Sequence, residues 1–175
     1  LLRYAKTAAS LKYAFKGLEG KMYVATSKDG KFRIYSWDTN TGGTMKFFDG
    51  VYQYKTKRSR VYAKAFQQTQ EYSARGFYYQ IFQLDGGGKT YYLANSTSVL
   101  STSQTRQDLE AYGIEGERLN DDVRLIRTTT AFRNSVGFDY DFFSVVNRHE
   151  RPVKLFWWDE MKKQFRFPVV LKDDK

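Results

Sequence analysis

Apolar and polar positions alternate with a period of two along most of the chain, and one segment departs from that rule. Tyr4, Ala8, Leu11, Phe15 and Leu18 are spaced 4, 3, 4, 3, which lines one face of a helix. Gly17 and Gly20 then supply the left-handed conformations common at helix C-termini. The spacing predicts one N-terminal helix within residues 1–20, with its apolar stripe facing either its own sheet or a second chain.

After Gly20 the reading is of short strands. Residues 22–26 and 32–37 flank Ser27-Lys28-Asp29-Gly30-Lys31, and Asp-Gly between aromatic-rich runs signals a hairpin. Phe32, Ile34 and Ser36 share one face of the second run; Arg33, Tyr35 and Trp37 share the other. A loop at 38–43 leads to a short strand at 45–48, an Asp49-Gly50 turn, and a strand at 51–55. A basic turn separates that strand from 61–66. Residues 76–84 are apolar on both faces, which predicts a central strand covered on both sides. Asp85-Gly86-Gly87-Gly88 turns the chain into 90–95, and the Ser-, Thr- and Gln-rich stretch 96–107 reads as an exposed loop.

Residues 109–114 and 118–119 form a further hairpin about Glu115-Gly116, and 123–128 a further strand. Phe138, Tyr140 and Phe142 alternate with Asp139 and Asp141. Residues 153–158 and 164–171 flank a polar turn, with Phe165, Phe167 and Val169 on one face; Pro168 marks an edge or a bulge. The two trios Phe138, Tyr140, Phe142 and Phe165, Phe167, Val169 are therefore expected in the core. About ten short strands joined by turn residues predict a mainly β protein. It is an antiparallel β-sandwich or a closed β-barrel, one domain over 1–175, with the helix at 1–20 and the sheets at 21–175.

Composition changes this picture mainly by exclusion. Among 175 residues there are 14 Tyr, 14 Phe and 3 Trp, enough to fill a core. With no Cys, disulfides, thiol catalysis and thiolate metal sites are excluded. With one His, His149, a multi-histidine metal centre in one chain is excluded, and no cofactor or metal is expected. Mean hydropathy is −0.65 and no apolar run reaches the roughly 18 residues of a membrane span. The stretch from Leu1 to Lys6 lacks the apolar core of a signal peptide, although a leader cleaved ahead of Leu1 is compatible with it. The compartment favoured is extracytoplasmic, secreted or periplasmic.

The net charge of +10 suits a nucleic-acid, glycan or other anionic partner. Most cations are spread along the chain. The one cluster is Lys55, Lys57, Arg58, Arg60 and Lys64. Gly86-Gly87-Gly88-Lys89-Thr90 has the look of a phosphate loop, but its glycine spacing is wrong and a strand follows it rather than a helix. Asp139 and Asp141 lie on one strand face about 7 Å apart, which suits a glycosidase pair or simply a solvated face. Arg33, Tyr35 and Trp37 could form an aromatic platform for a sugar or a base. Trp157 and Trp158 point to opposite faces, so at least one of them can be core. His149 beside Glu150 has no nucleophile elbow to serve, and Asn95-Ser96-Thr97 matches the glycosylation acceptor pattern.

Three functions remain open. The leading one is a non-enzymatic β-rich domain for binding or assembly, its partner docking on the N-terminal helix or an exposed sheet face. The second is a carbohydrate-binding or carbohydrate-active protein using Asp139, Asp141 and exposed tryptophans. The third is a nucleic-acid- or polyanion-binding β domain using the Lys55 to Lys64 cluster.

Overall fold

The computed structural model describes residues 1–67, 76–162 and 164–167. Four strands form a meander: β1 (Tyr23–Thr26), β2 (Phe32–Asp38), β3 (Phe48–Lys55) and β4 (Val61–Ala65), in the order β1-β2-β3-β4. A second sheet begins with β5 (Phe77–Gly86), β6 (Lys89–Val99) and β7 (Gln104–Glu115), and β8 (Arg118–Asn120) turns back on the end of β7. A two-strand ribbon, β9 (Ile126–Arg127) with β10 (Phe132–Arg133), leads to β11 (Ser135–Asp141). β11 returns beside β7, so the second sheet runs β11-β7-β6-β5. The hairpin of β12 (Trp157–Asp159) and β13 (Gln164–Arg166) follows. Every ladder is antiparallel.

The two large sheets share an aromatic core. Phe32 and Ile34 of β2 and Tyr52 and Tyr54 of β3 meet Tyr78, Ile81, Tyr92 and Tyr112 of β5, β6 and β7. Phe32 lies at the centre, its ring 5.2 Å from that of Tyr112 and 5.3 Å from that of Tyr92, in tilted contacts that suit aromatic quadrupoles. The period-two pattern placed Phe32 and Ile34 together, and the structure puts that face inside. Among the described residues no sheet closes on itself, so the barrel alternative is corrected.

The N-terminal helix is also corrected. Residues 1–20 hold only two single 3-10 turns, Tyr4–Lys6 and Ala9–Leu11. The carbonyls a helix would use are taken elsewhere. Thr7 Oγ1 donates to Tyr4 O, and Ser10 Oγ donates to Thr7 O at 2.7 Å. The Arg33 guanidinium donates to Ser10 O at 2.6 Å and Tyr13 O at 2.8 Å, while its Nε reaches Thr26 Oγ1. Phe15 then takes φ +53°, which no helix accommodates. The proposed stripe is split: Leu11 is buried, Phe15 half-buried, and Tyr4 is 71% exposed. The segment lies on the outer face of the first sheet, with Ala5 packed beside Tyr35 and Val51. It therefore presents no docking helix to a second chain. Arg33→Met, which strips these carbonyls of their donor, is expected to cost about 1–3 kcal/mol. Trypsin should then cleave at Lys12 and Lys16 sooner than in the wild type.

Other expectations shift as well. Asp49 and Gly50 do not turn; they pair with Trp37 and Ser36 inside β3. The expected loop at 96–107 is the end of β6 and the start of β7, with Ser96, Thr97, Ser98, Thr105 and Gln107 buried. β5 is an edge strand rather than a central one, shielded because β1 and β2 lie against it. Residues 123–125 and 153–156 fall outside strands. Phe138, Tyr140, Phe142 and Phe165 are half-buried rather than buried. Phe167 is 52% exposed, although its ring stacks 5.7 Å from that of Phe138. Val169 and Pro168 lie outside the described residues. No described helix is long and apolar enough to cross a membrane.

Candidate functional site

Alternation in the second sheet sends one set of side chains toward the first sheet and the other set outward. The outward set is apolar: Phe82 of β5, Leu93 of β6, Leu109 and Ala111 of β7, and Val136 and Phe138 of β11. Left bare, such a face would be insoluble. Residues 153–162 and 164–167 cover part of it. Gln107, fully buried on β7, fixes the start of that cover. Its Oε1 accepts from Leu155 N at 2.9 Å and from the Tyr79 hydroxyl, and its Nε2 donates to Val153 O. One glutamine thus satisfies two backbone groups of a segment that has no strand partner there. Phe156 follows beneath the cover, its ring 5.5 Å from that of Phe138. Phe165 meets Phe82 at 5.0 Å and Trp158 at 4.8 Å.

Between the β12–β13 hairpin and the sheet lies a cavity of about 780 Å³. Its walls include Phe82, Leu84, Leu93, Leu109, Phe156 and Phe165. Its polar rim comes from two turns. Lys28 of the β1–β2 turn stands 3.7 Å from Glu160 of the β12–β13 turn, and Asp29, Gln83 and Asp85 complete the edge. Asp29 is held in place: its backbone N–H donates to Gln83 Oε1 and its carboxylate accepts from Ser27 Oγ and the Tyr92 hydroxyl. Burial, reinforced by Asp29, raises the Tyr92 pKa, so that hydroxyl stays a donor. The Trp158 indole N–H donates to Glu160 and bridges wall to rim.

The residues singled out by sequence fall in several places. Arg33 and Tyr35 are buried beneath the N-terminal segment and Trp37 is half-buried, so the three form no open platform. Asp139 receives Arg106 Nη1 at 2.8 Å, while Asp141 caps the 3-10 turn Phe142–Val145 by accepting from Phe143 N. The two carboxylates are thus committed to different partners. Of the basic cluster, Arg60 pairs with Glu117 at 2.9 Å and Lys64 with Asp121 at 3.4 Å. Lys57 and Arg58 are exposed, and Lys55 is half-buried. Trp158 joins the outer apolar cluster and Trp157 is exposed under the Arg148 guanidinium, as opposite strand faces require. His149 is exposed. Asn95 is fully buried, so it offers no acceptor for a glycan.

One group escaped the sequence reading. Glu110, on the inward face of β7, accepts from the Tyr78 hydroxyl at 2.8 Å, the Tyr112 hydroxyl at 2.9 Å and Ser96 Oγ at 3.3 Å. Beside it Asp108 is bound by Arg106. A Cβ at Gly137, across the ladder, would strike the Asp108 carboxylate. The signal was the alternation of Asp108, Glu110 and Tyr112 opposite Leu109 and Ala111, a polar face that the pattern alone reads as solvent-facing. Burial raises the Glu110 pKa despite its three hydroxyl donors, and raises that of Asp108 despite Arg106. Folded Glu110 therefore retains a proton that the unfolded chain gives up. Stability is fullest below the ordinary glutamate pKa and falls as pH rises through the raised value. Glu110→Gln should melt above the wild type near pH 7. It should also lose part of the decline in melting temperature between about pH 4 and pH 7, with the Asp108 share remaining.

Among the described residues no three His, Cys, Asp or Glu side chains gather as a metal site. No protein-family description, curated protein or solved structure matches the chain.

Proposed function

We propose that this protein is a β-sandwich whose role is to bind a small, mainly apolar molecule between its second sheet and the β12–β13 hairpin. The observation that carries this reading is the cavity of about 780 Å³. That volume lies within the range of small-molecule sites, and such sites combine apolar walls with a few oriented polar groups. Here the walls are leucines and phenylalanines, and the oriented group is Asp29, fixed by Ser27, Gln83 and Tyr92. A carboxylate at the mouth selects a ligand whose polar end donates a hydrogen bond, an alcohol or an amine rather than a carboxylate. The walls are apolar and the polar side chains are confined to the rim, which favours a ligand with an apolar body over a sugar.

Dodecanol is the direct probe. Binding to the folded chain alone raises the melting temperature as its concentration passes the dissociation constant. It should also alter the fluorescence of Trp158, which lines the cavity. Dodecanoate, repelled by Asp29, should bind more weakly. An unchanged melting temperature and spectrum up to the solubility of dodecanol would reject the reading.

A further inference from the structure

The antiparallel order of the strands brings the β3–β4, β5–β6 and β7–β8 turns to one end of the molecule, where they surround a second cavity of about 480 Å³. Each junction contributes. The β3–β4 turn supplies Lys57 and Arg58, the start of β6 supplies Lys89, and the end of β7 with the turn after it supplies Glu115 and Glu117. We propose that this cavity is a binding site for a small carbohydrate carrying a sulfate or phosphate, with Lys57, Arg58 and Lys89 holding the anionic group.

The charges are arranged for an added anion. Arg60 and Lys64 are paired with Glu117 and Asp121, and neither they nor Lys55 line this cavity. Lys57, Arg58 and Lys89 have no carboxylate within ion-pair distance among the described residues. Lys57, Arg58 and Lys89 line one cavity with Glu115 and Glu117, of which Glu117 is already paired with Arg60, so the cations there outnumber the carboxylates and none of the three is closed into an ion pair. A guanidinium can grip a tetrahedral oxyanion through two N–H groups. Lys89 stands 25 or more residues from the sequence cluster and only folding brings it in.

The remaining walls fit a hydroxylated ring. Glu115, which already accepts from Asn120 Nδ2 at 3.1 Å, has acceptor capacity left for a hydroxyl. Tyr91 and Ile114, both half-buried, offer apolar surface to the C–H face of a sugar. The same two glutamates argue against a long polyanion, because a continuous phosphate backbone crossing this end would meet Glu115 and Glu117 as well as the cations.

The test is calorimetric titration of the full chain at low salt with a sulfated heparin disaccharide, glucose 6-phosphate, glucose and a twelve-residue oligothymidylate. At least one charged sugar should bind, glucose should not, and the preferred sugar distinguishes sulfate from phosphate. Lys57→Ser, Arg58→Ser and Lys89→Ser combined should weaken that binding by about tenfold or more. Arg60→Ser with Lys64→Ser should change it less than about threefold, because those cations are already paired at the surface. All variants should keep the wild-type melting temperature to within a few degrees, since these side chains are exposed or half-buried. Absence of binding by both charged sugars overturns the proposal. So does tighter binding of the oligonucleotide than of either sugar, or equal loss in the two sets of variants.

Discussion

Phe32→Ala is expected to destabilise the protein by about 3–5 kcal/mol, within the range for removing a buried aromatic ring. Phe32 has no solvent exposure and stands where both sheets meet. Its ring touches those of Tyr52, Tyr92 and Tyr112, which come from three different strands. Those tyrosines cannot close into the space, because their hydroxyls are tied elsewhere. Tyr92 is held by Asp29, and Tyr112 by Glu110 and Tyr78. The void would therefore persist, and the cost should fall near the top of the range. For a chain of this size the melting temperature should drop by roughly 6–20 °C. Urea denaturation followed by far-UV circular dichroism measures it. A midpoint equal to that of the wild type would mean that the sheets do not meet at this ring.

Gly50→Ala should cost about 3 kcal/mol, at the upper end for overpacking. A Cβ at Gly50 would run into the Tyr35 carbonyl oxygen on one side and the Phe66 ring on the other. The carbonyl belongs to the β2–β3 ladder, so it cannot retreat without breaking strand pairing. The Phe66 ring is buried against Tyr52 and Tyr78 and has little room to move. Gly43→Ala is the control: a Cβ there meets open space, and stability should be unchanged within about 0.5 kcal/mol. Equal melting of the two variants would show that β2 and β3 are not paired in this register.

Gly50 also shows what the sequence conceals. Asp-Gly is the composition of a tight turn, yet here glycine serves close approach within a strand, and composition does not separate the two uses. The true hairpin at Asp29-Gly30 carries the same dipeptide, and there Gly30 does take a positive φ of 66°. Strand alternation was legible wherever apolar and polar residues took opposite faces, as in Phe32, Ile34 and their neighbours. It was illegible at 96–107, where buried positions are filled by Ser, Thr and Gln. Gln107 is the informative case: it is buried because it binds the backbone at Val153 and Leu155, a partner 46 residues away. The N-terminal spacing was a coincidence of five apolar positions over about four turns. It lost to an arginine on β2 that competes for the helix's own carbonyls. Of the two cavities, neither was legible, because the walls of each come from strands distant in sequence. Only the Lys57 and Arg58 part of the second was visible as a charge run.

The apolar cavity is tested most directly by titrating the wild type and Leu84→Trp with the neutral fluorophore N-phenyl-1-naphthylamine. Leu84 lines the cavity and is half-buried, so a larger side chain can extend into the empty space without displacing the core between the sheets. The wild type should give saturable enhancement of the dye, reversed on displacement by dodecanol. Leu84→Trp should lose at least about tenfold in affinity, with the melting temperature held or raised. Equal dye binding by the two proteins, with Leu84→Trp folded, would contradict binding in this cavity.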